Sequence, residues 1–106
     1  MIVTKNITKK YGDFLAIKNL SLNVKEGEIL CLLGANGAGK STIINILLNF
    51  TQPSSGTSEI NNLDVIKNSI KTKEFLTYIP ENLMLYPTLS ALENLDYFTC
   101  VIPFKI

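Results

Sequence analysis

With 106 residues, the chain has room for one modest domain and no more. Apolar residues make up 46% and charged ones 18%, a globular composition, and the formal net charge of +1 offers no electrostatic footprint for nucleic acid. Every cation is a lysine; the absence of arginine and histidine excludes imidazole bases, histidine metal ligands and bidentate guanidinium clamps. The start, Met1 to Gly12, lacks the apolar stretch of a signal peptide, and no run approaches the roughly 18 apolar residues that span a bilayer. A cytoplasmic chain with no transmembrane segment of its own is expected. Cys31 and Cys100 read as buried free thiols.

In chain order, residues 2–7 and 18–24 read as strands around a turn at Gly12-Asp13. In the second, Leu20, Leu22 and Val24 alternate with Ser21 and Asn23, which predicts one buried face. The pair suggests an antiparallel ribbon. After the polar turn Lys25-Glu26-Gly27-Glu28, the continuous apolar run 29–33 reads as a strand covered on both faces of a parallel sheet. Residues 40–49 read as a mostly buried helix, with Ser41, Asn45 and Asn49 forming a thin wet stripe. Thr51 to Gly56 is a turn-rich stop, 57–61 a short edge strand, and 64–74 a weak polar helix or loop. Residues 75–79 read as a strand ending at Pro80, and Ser90-Ala91-Leu92-Glu93 as a capping box opening a helix through about Phe98.

Between the apolar run and the first helix lies Gly34-Ala35-Asn36-Gly37-Ala38-Gly39-Lys40-Ser41-Thr42, which satisfies G-x-x-x-x-G-K-[ST]. A triphosphate concentrates negative charge, and inward-pointing backbone N–H groups form a concave nest for it. Gly34, Gly37 and Gly39 keep that nest bare, while the positive end of the following helix faces the same anion. In this pattern Lys40 reaches the β- and γ-phosphates and the Ser41 hydroxyl ligates Mg²⁺. Chance supplies such a match in roughly one of a few hundred chains of this length. The dinucleotide fingerprint G-x-G-x-x-G is not met.

The loop alone permits kinases, GTPases, helicases or transporters; its surroundings narrow the choice. Lys9-Lys10-Tyr11-Gly12, Ala16 to Leu22, Gly27-Glu28, the loop itself and Pro53-Ser54-Ser55-Gly56 resemble the entry of ATP-binding cassette (ABC) transporter ATPases. Thr77-Tyr78-Ile79-Pro80-Glu81 and Leu92-Glu93-Asn94-Leu95 look like that family's next landmarks. The resemblance is loosest over 61–73, where Asn62 stands in place of a usual glycine. It implies an α/β P-loop NTPase fold in incomplete form, an antiparallel β ribbon plus strand, phosphate loop and helix of the core. It also implies ATP and Mg²⁺ as ligands, Tyr11 stacking on adenine, and residues Gly34 to Thr42 cradling phosphate. Glu81 takes the position of the family's magnesium-holding and water-holding glutamine, as in many exporter-type members. Asn82 to Tyr86 is apolar enough to suggest a docking surface for a membrane helix, with ordinary core packing as the alternative for its individual residues. The implied partners are a membrane-spanning subunit and a second ATPase subunit, at the cytoplasmic face of the membrane.

Residues 1–98 are expected to form the N-terminal part of the nucleotide-binding domain. The tail 99–106 looks unlike the family and suggests a premature stop or frameshift. No Ser-Gly-Gly signature, strand ending in Asp-Glu, or switch histidine is found in the sequence. Hydrolysis needs such groups to balance charge in the transition state, so binding without turnover is expected. Two alternatives stay open: a small phosphotransferase, which the lack of arginine disfavours, and a vestigial loop that binds nothing.

Overall fold

The computed structural model describes residues 1–101, with side chains through Phe98. Strand β1 (Ile2–Tyr11) and strand β2 (Phe14–Val24) form the expected ribbon, each longer than the sequence alone suggests. Helix α1 (Lys40–Leu47) follows, then β3 (Ser55–Ile60), β4 (Leu63–Asp64), α2 (Ser69–Lys73) and α3 (Ala91–Val101). The tail expected at 99–106 enters α3 through Val101; residues 102–106 and the Cys100 side chain lie outside the described residues.

One antiparallel sheet runs in the order β2-β1-β3-β4. The segment read as an edge strand, β3, is therefore interior: it pairs with β1 from Ile2↔Ile60 to Thr8↔Ser55 and with β4 on its other side. The β3–β4 hairpin turns through Asn61 and Asn62, at φ 48° and 63°. Two successive left-handed residues match the strand twist, and asparagine tolerates that region. Asn62 thus replaces glycine without losing the backbone conformation.

The ribbon is not regular. Its register shifts between Thr4 and Ile7, between Ile7 and Lys9, and between Lys9 and Lys10. The extra residues fall at Asn6 on β1 and at Asn19 and Ala16 on β2. Asn6 and Asn19 adopt positive φ, 50° and 48°. Each is braced across the ribbon by a hydroxyl: the Asn6 amide donates to Ser21 Oγ at 2.9 Å and the Asn19 amide to Thr8 Oγ1 at 3.1 Å. Bulges of this kind bend a ribbon and sharpen its twist.

Ile43 and Ile46 of α1 pack with Ile7 and Ile17 of the ribbon to form the core, flanked by Leu20, Leu22, Ile44 and Leu47. The alternation on β2 holds, with Ser21 and Asn23 exposed. Helix α1 stops two residues before the expected end, in a Schellman arrangement. Asn49 sits at φ 55°, its amide donates to Ile46 O at 3.0 Å, and Phe50 N donates to Asn45 O at 2.8 Å. The capping box forms as expected, with Ser90 N donating to Glu93 Oε2 at 2.7 Å and Glu93 N to Ser90 Oγ at 3.2 Å.

Two expected strands do not pair. Residues 29–33 and 75–79 carry no ladder among the described residues, and Ile29 and Leu33 are 91% and 93% exposed. A parallel strand needs a parallel neighbour and helices over both faces. Here α1 is the helix beside the run, and no parallel neighbour stands next to it among the described residues. For the same reason Cys31, expected as a buried thiol, is exposed.

Candidate functional site

Helix α1 begins at Lys40, and Gly39 caps it at φ 94°, ψ 5°. No side chain bonds into that cap, and the first turn holds no acidic residue. The first amides of a helix have no partner within it, so this end presents donors and the positive pole of the dipole. Immediately before it, Gly34 to Ala38 are exposed. Gly37 takes φ 85° with open space where a Cβ would stand, and Ala38 N closes a turn on Ala35 O at 3.1 Å. The loop is solvent-exposed, with open space beside Gly37.

The Lys40 ammonium folds back onto the carbonyl oxygen of Gly34. Lysine thus spans the loop from its last residue to its first, satisfying its charge on a backbone oxygen. Ser41 is exposed and Thr42 half-buried beside it. A cavity of about 350 Å³ adjoins the loop, lined by Lys40, Ser41 and Asn45 from α1, by Leu30 and Leu32 from the apolar run, and by Tyr78. Its mixture of an ammonium, a hydroxyl, an amide and apolar walls suits a ligand with an anionic end.

The ribbon reaches this site through Gly39. A Cβ built on Gly39 would stand 2.7 Å from Ala16 O and 3.1 Å from Ile17 Cγ1, so only glycine allows the loop to lie against β2 here. Ala16 is the bulged residue opposite the Lys9–Lys10 step, and the bulge turns its carbonyl toward the loop. Tyr11 ends β1 a few residues away, opposite Phe14 across the Gly12-Asp13 turn, and is half exposed. Its ring contact is with Lys9, whose Nζ lies 4.9 Å from the ring centroid.

The structure therefore gathers Gly34 to Thr42 at one helix end and sets Tyr11 on the adjoining ribbon tip. Glu81 is exposed and does not line the cavity. Tyr78, to which the sequence analysis assigned no role of its own, does.

The family model described as ABC transporter matches residues 17–105. The chain belongs to the ABC transporter family. Among curated ABC relatives, it is 39% identical over 101 residues to a probable multidrug ABC transporter ATP-binding protein of Escherichia coli K12, covering 95% of this chain and 18% of that one. It is 38% identical over 98 residues to a linearmycin resistance ATP-binding protein of Bacillus subtilis 168, covering 92% and 32%. A zinc import ATP-binding protein of Photorhabdus laumondii is 42% identical, covering 84% and 31%. The chain thus spans between about a fifth and a third of the length of these ABC proteins.

Solved ABC structures agree with the fold. An ATP-binding subunit of an ABC transporter superposes with a TM-score of 0.78 at 28% identity, over 93% of this chain and 41% of that one. An ATP-binding cassette solved as a dimer with ADP and phosphate after hydrolysis gives 0.75 at 30% identity, over 100% and 49%. The architecture is the N-terminal part of an ABC ATPase nucleotide-binding domain, and it is incomplete as a P-loop NTPase fold. No helix among the described residues is long and apolar enough to cross a membrane.

Proposed function

We propose that this chain binds ATP with Mg²⁺ through Gly34 to Thr42 and, by itself, does not turn it over. The observation that carries this is the uncapped, acid-free N-terminus of α1 behind a bare glycine loop, with the Lys40 ammonium spanning it. Backbone amides of Gly34, Ala35, Asn36, Gly37, Ala38 and Gly39 and the first turn of α1 would hold the phosphates. Lys40 would exchange its Gly34 carbonyl for phosphate oxygen, a stronger charge-assisted partner. The Ser41 hydroxyl would ligate Mg²⁺, with Glu81 as a second candidate ligand or water-holding group once the 75–81 segment is packed. The metal's contribution is to neutralise phosphate charge. Tyr11 would stack on adenine.

Within its family the domain would act with a second ATPase subunit and a membrane-spanning subunit, at the cytoplasmic face of the membrane. Glu81 favours an exporter-type system. In this reading residues 1–98 are the working N-terminal part of the nucleotide-binding domain. Hydrolysis would depend on the Ser-Gly-Gly, Asp-Glu and histidine elements that this sequence does not hold.

Calorimetric titration of the full chain with Mg-ATP tests the reading. Lys40→Ala should weaken binding by about 100-fold, the loss of a charged hydrogen-bond set. Tyr11→Ala should weaken it by about 1–3 kcal/mol, the value of one base stack. Steady phosphate release by chain free of contaminating ATPase would refute the absence of turnover.

A further inference from the structure

Lys9 lies on β1 across from Ile17, and its polar contacts are with Gln52 and the Tyr11 ring. Its Nζ donates to the backbone oxygen of Gln52 at 2.7 Å and lies over the Tyr11 ring, 4.9 Å from the centroid. Lys9 and Tyr11 are two residues apart on β1, so their side chains leave the strand on the same face. Lys9 is also the cross-strand partner of Ile17, the residue that packs against Gly39. Gln52 lies just past the Schellman stop of α1. One half-buried lysine therefore ties the ring at the ribbon tip to the C-terminal end of the helix whose N-terminus carries the phosphate loop.

We infer that Lys9 is a positioning residue for the nucleobase: anchored at Gln52, it holds one face of the Tyr11 ring and leaves the opposite face to the base. A cation on one face of a ring is attracted by its quadrupole and fixes its tilt. The half-exposed Tyr11 has no other aromatic or cationic neighbour over its ring among the described residues, so Lys9 is the group that holds that face. The ammonium, committed to Gln52 and the ring, does not serve as a phosphate ligand. This inference rests on the proposed binding of ATP at the loop and on Tyr11 as its base platform.

The test compares Mg-ATP with Mg-tripolyphosphate, which has the charge and no base, by calorimetry on the full chain. Lys9→Met keeps the aliphatic stem and removes the cation. It should weaken ATP binding about 2- to 5-fold, the size of an exposed cation–π contact, and leave tripolyphosphate binding unchanged. Lys9→Arg, which keeps both the cation and a donor, should restore ATP affinity. In a Tyr11→Ala background, Lys9→Met should have no further effect, since its action passes through the ring. Equal losses for ATP and tripolyphosphate would make Lys9 a phosphate contact and overturn the inference, as would additive effects of the two substitutions. If the parent chain binds ATP, and Tyr11→Ala weakens it while Lys9→Met does not, the inference fails and the ATP site stands. If the parent binds neither ligand, both fail.

Discussion

The ribbon with α1 and the run from Ile29 to Leu33 are both rich in large aliphatic residues, yet one is a core and the other lies open to solvent. Ile7, Ile17, Ile43 and Ile46 are at most 7% exposed, whereas Ile29 and Leu33 are more than 90% exposed. The difference is one of partners. An antiparallel ribbon is closed by a two-residue turn and finds its neighbours nearby in sequence. A parallel strand is completed only by distant segments, and none stands beside residues 29–33 among those described. Apolar character says that a segment is to be covered; it does not say that the covering is at hand.

The sharpest way to break this contrast is a pair of truncations. Ile46→Ala removes a fully buried side chain from the ribbon–helix interface and should destabilise the chain by about 2–5 kcal/mol. Leu33→Ala removes an exposed one and should change stability by less than about 0.5 kcal/mol. Urea unfolding followed by circular dichroism reads both, and equal losses would mean that the run is buried in solution. Next in size, Gly39→Ala drives a Cβ into Ala16 O and imposes φ 94° on an L-residue. It should cost about 1–3 kcal/mol and separate the loop from the ribbon, seen as altered amide shifts at both Ala16 and Lys40.

The smallest effect lies in α3. The Ser90 amide and hydroxyl bonded to Glu93 hold its carboxyl below the ordinary glutamate range. A depressed folded value means that this contribution is complete above the unfolded value and is lost as pH falls through the folded one. The protection of the α3 amides, relative to their intrinsic exchange rates, should therefore fall on acidification below the usual glutamate range, and Glu93→Gln should flatten that dependence.

The conformation of Gly34 to Lys40 was legible because it is a local device: glycines, a lysine and a helix start that need only their own neighbours. The capping box at Ser90 and Glu93 was legible for the same reason, and both its bonds form. What escaped depends on tertiary pairing. The interior place of β3 follows from Thr57, Ser58 and Glu59 meeting β1, which no alternation of polar residues announces. The bulges at Asn6 and Asn19 need hydroxyls from the opposite strand, so the register shifts appear only once the ribbon is paired. Tyr78 reaches the cavity through chain folding that its own sequence neighbourhood does not specify.

The most direct trial of the phosphate loop is calorimetry of the folded full chain with ATP, with and without Mg²⁺. A saturable heat at one site, dependent on Mg²⁺ and weakened about 100-fold in Lys40→Ala, without release of phosphate, is the expected result. No heat from well-folded protein, or unchanged binding in Lys40→Ala, would contradict a triphosphate held between Gly34 and Thr42.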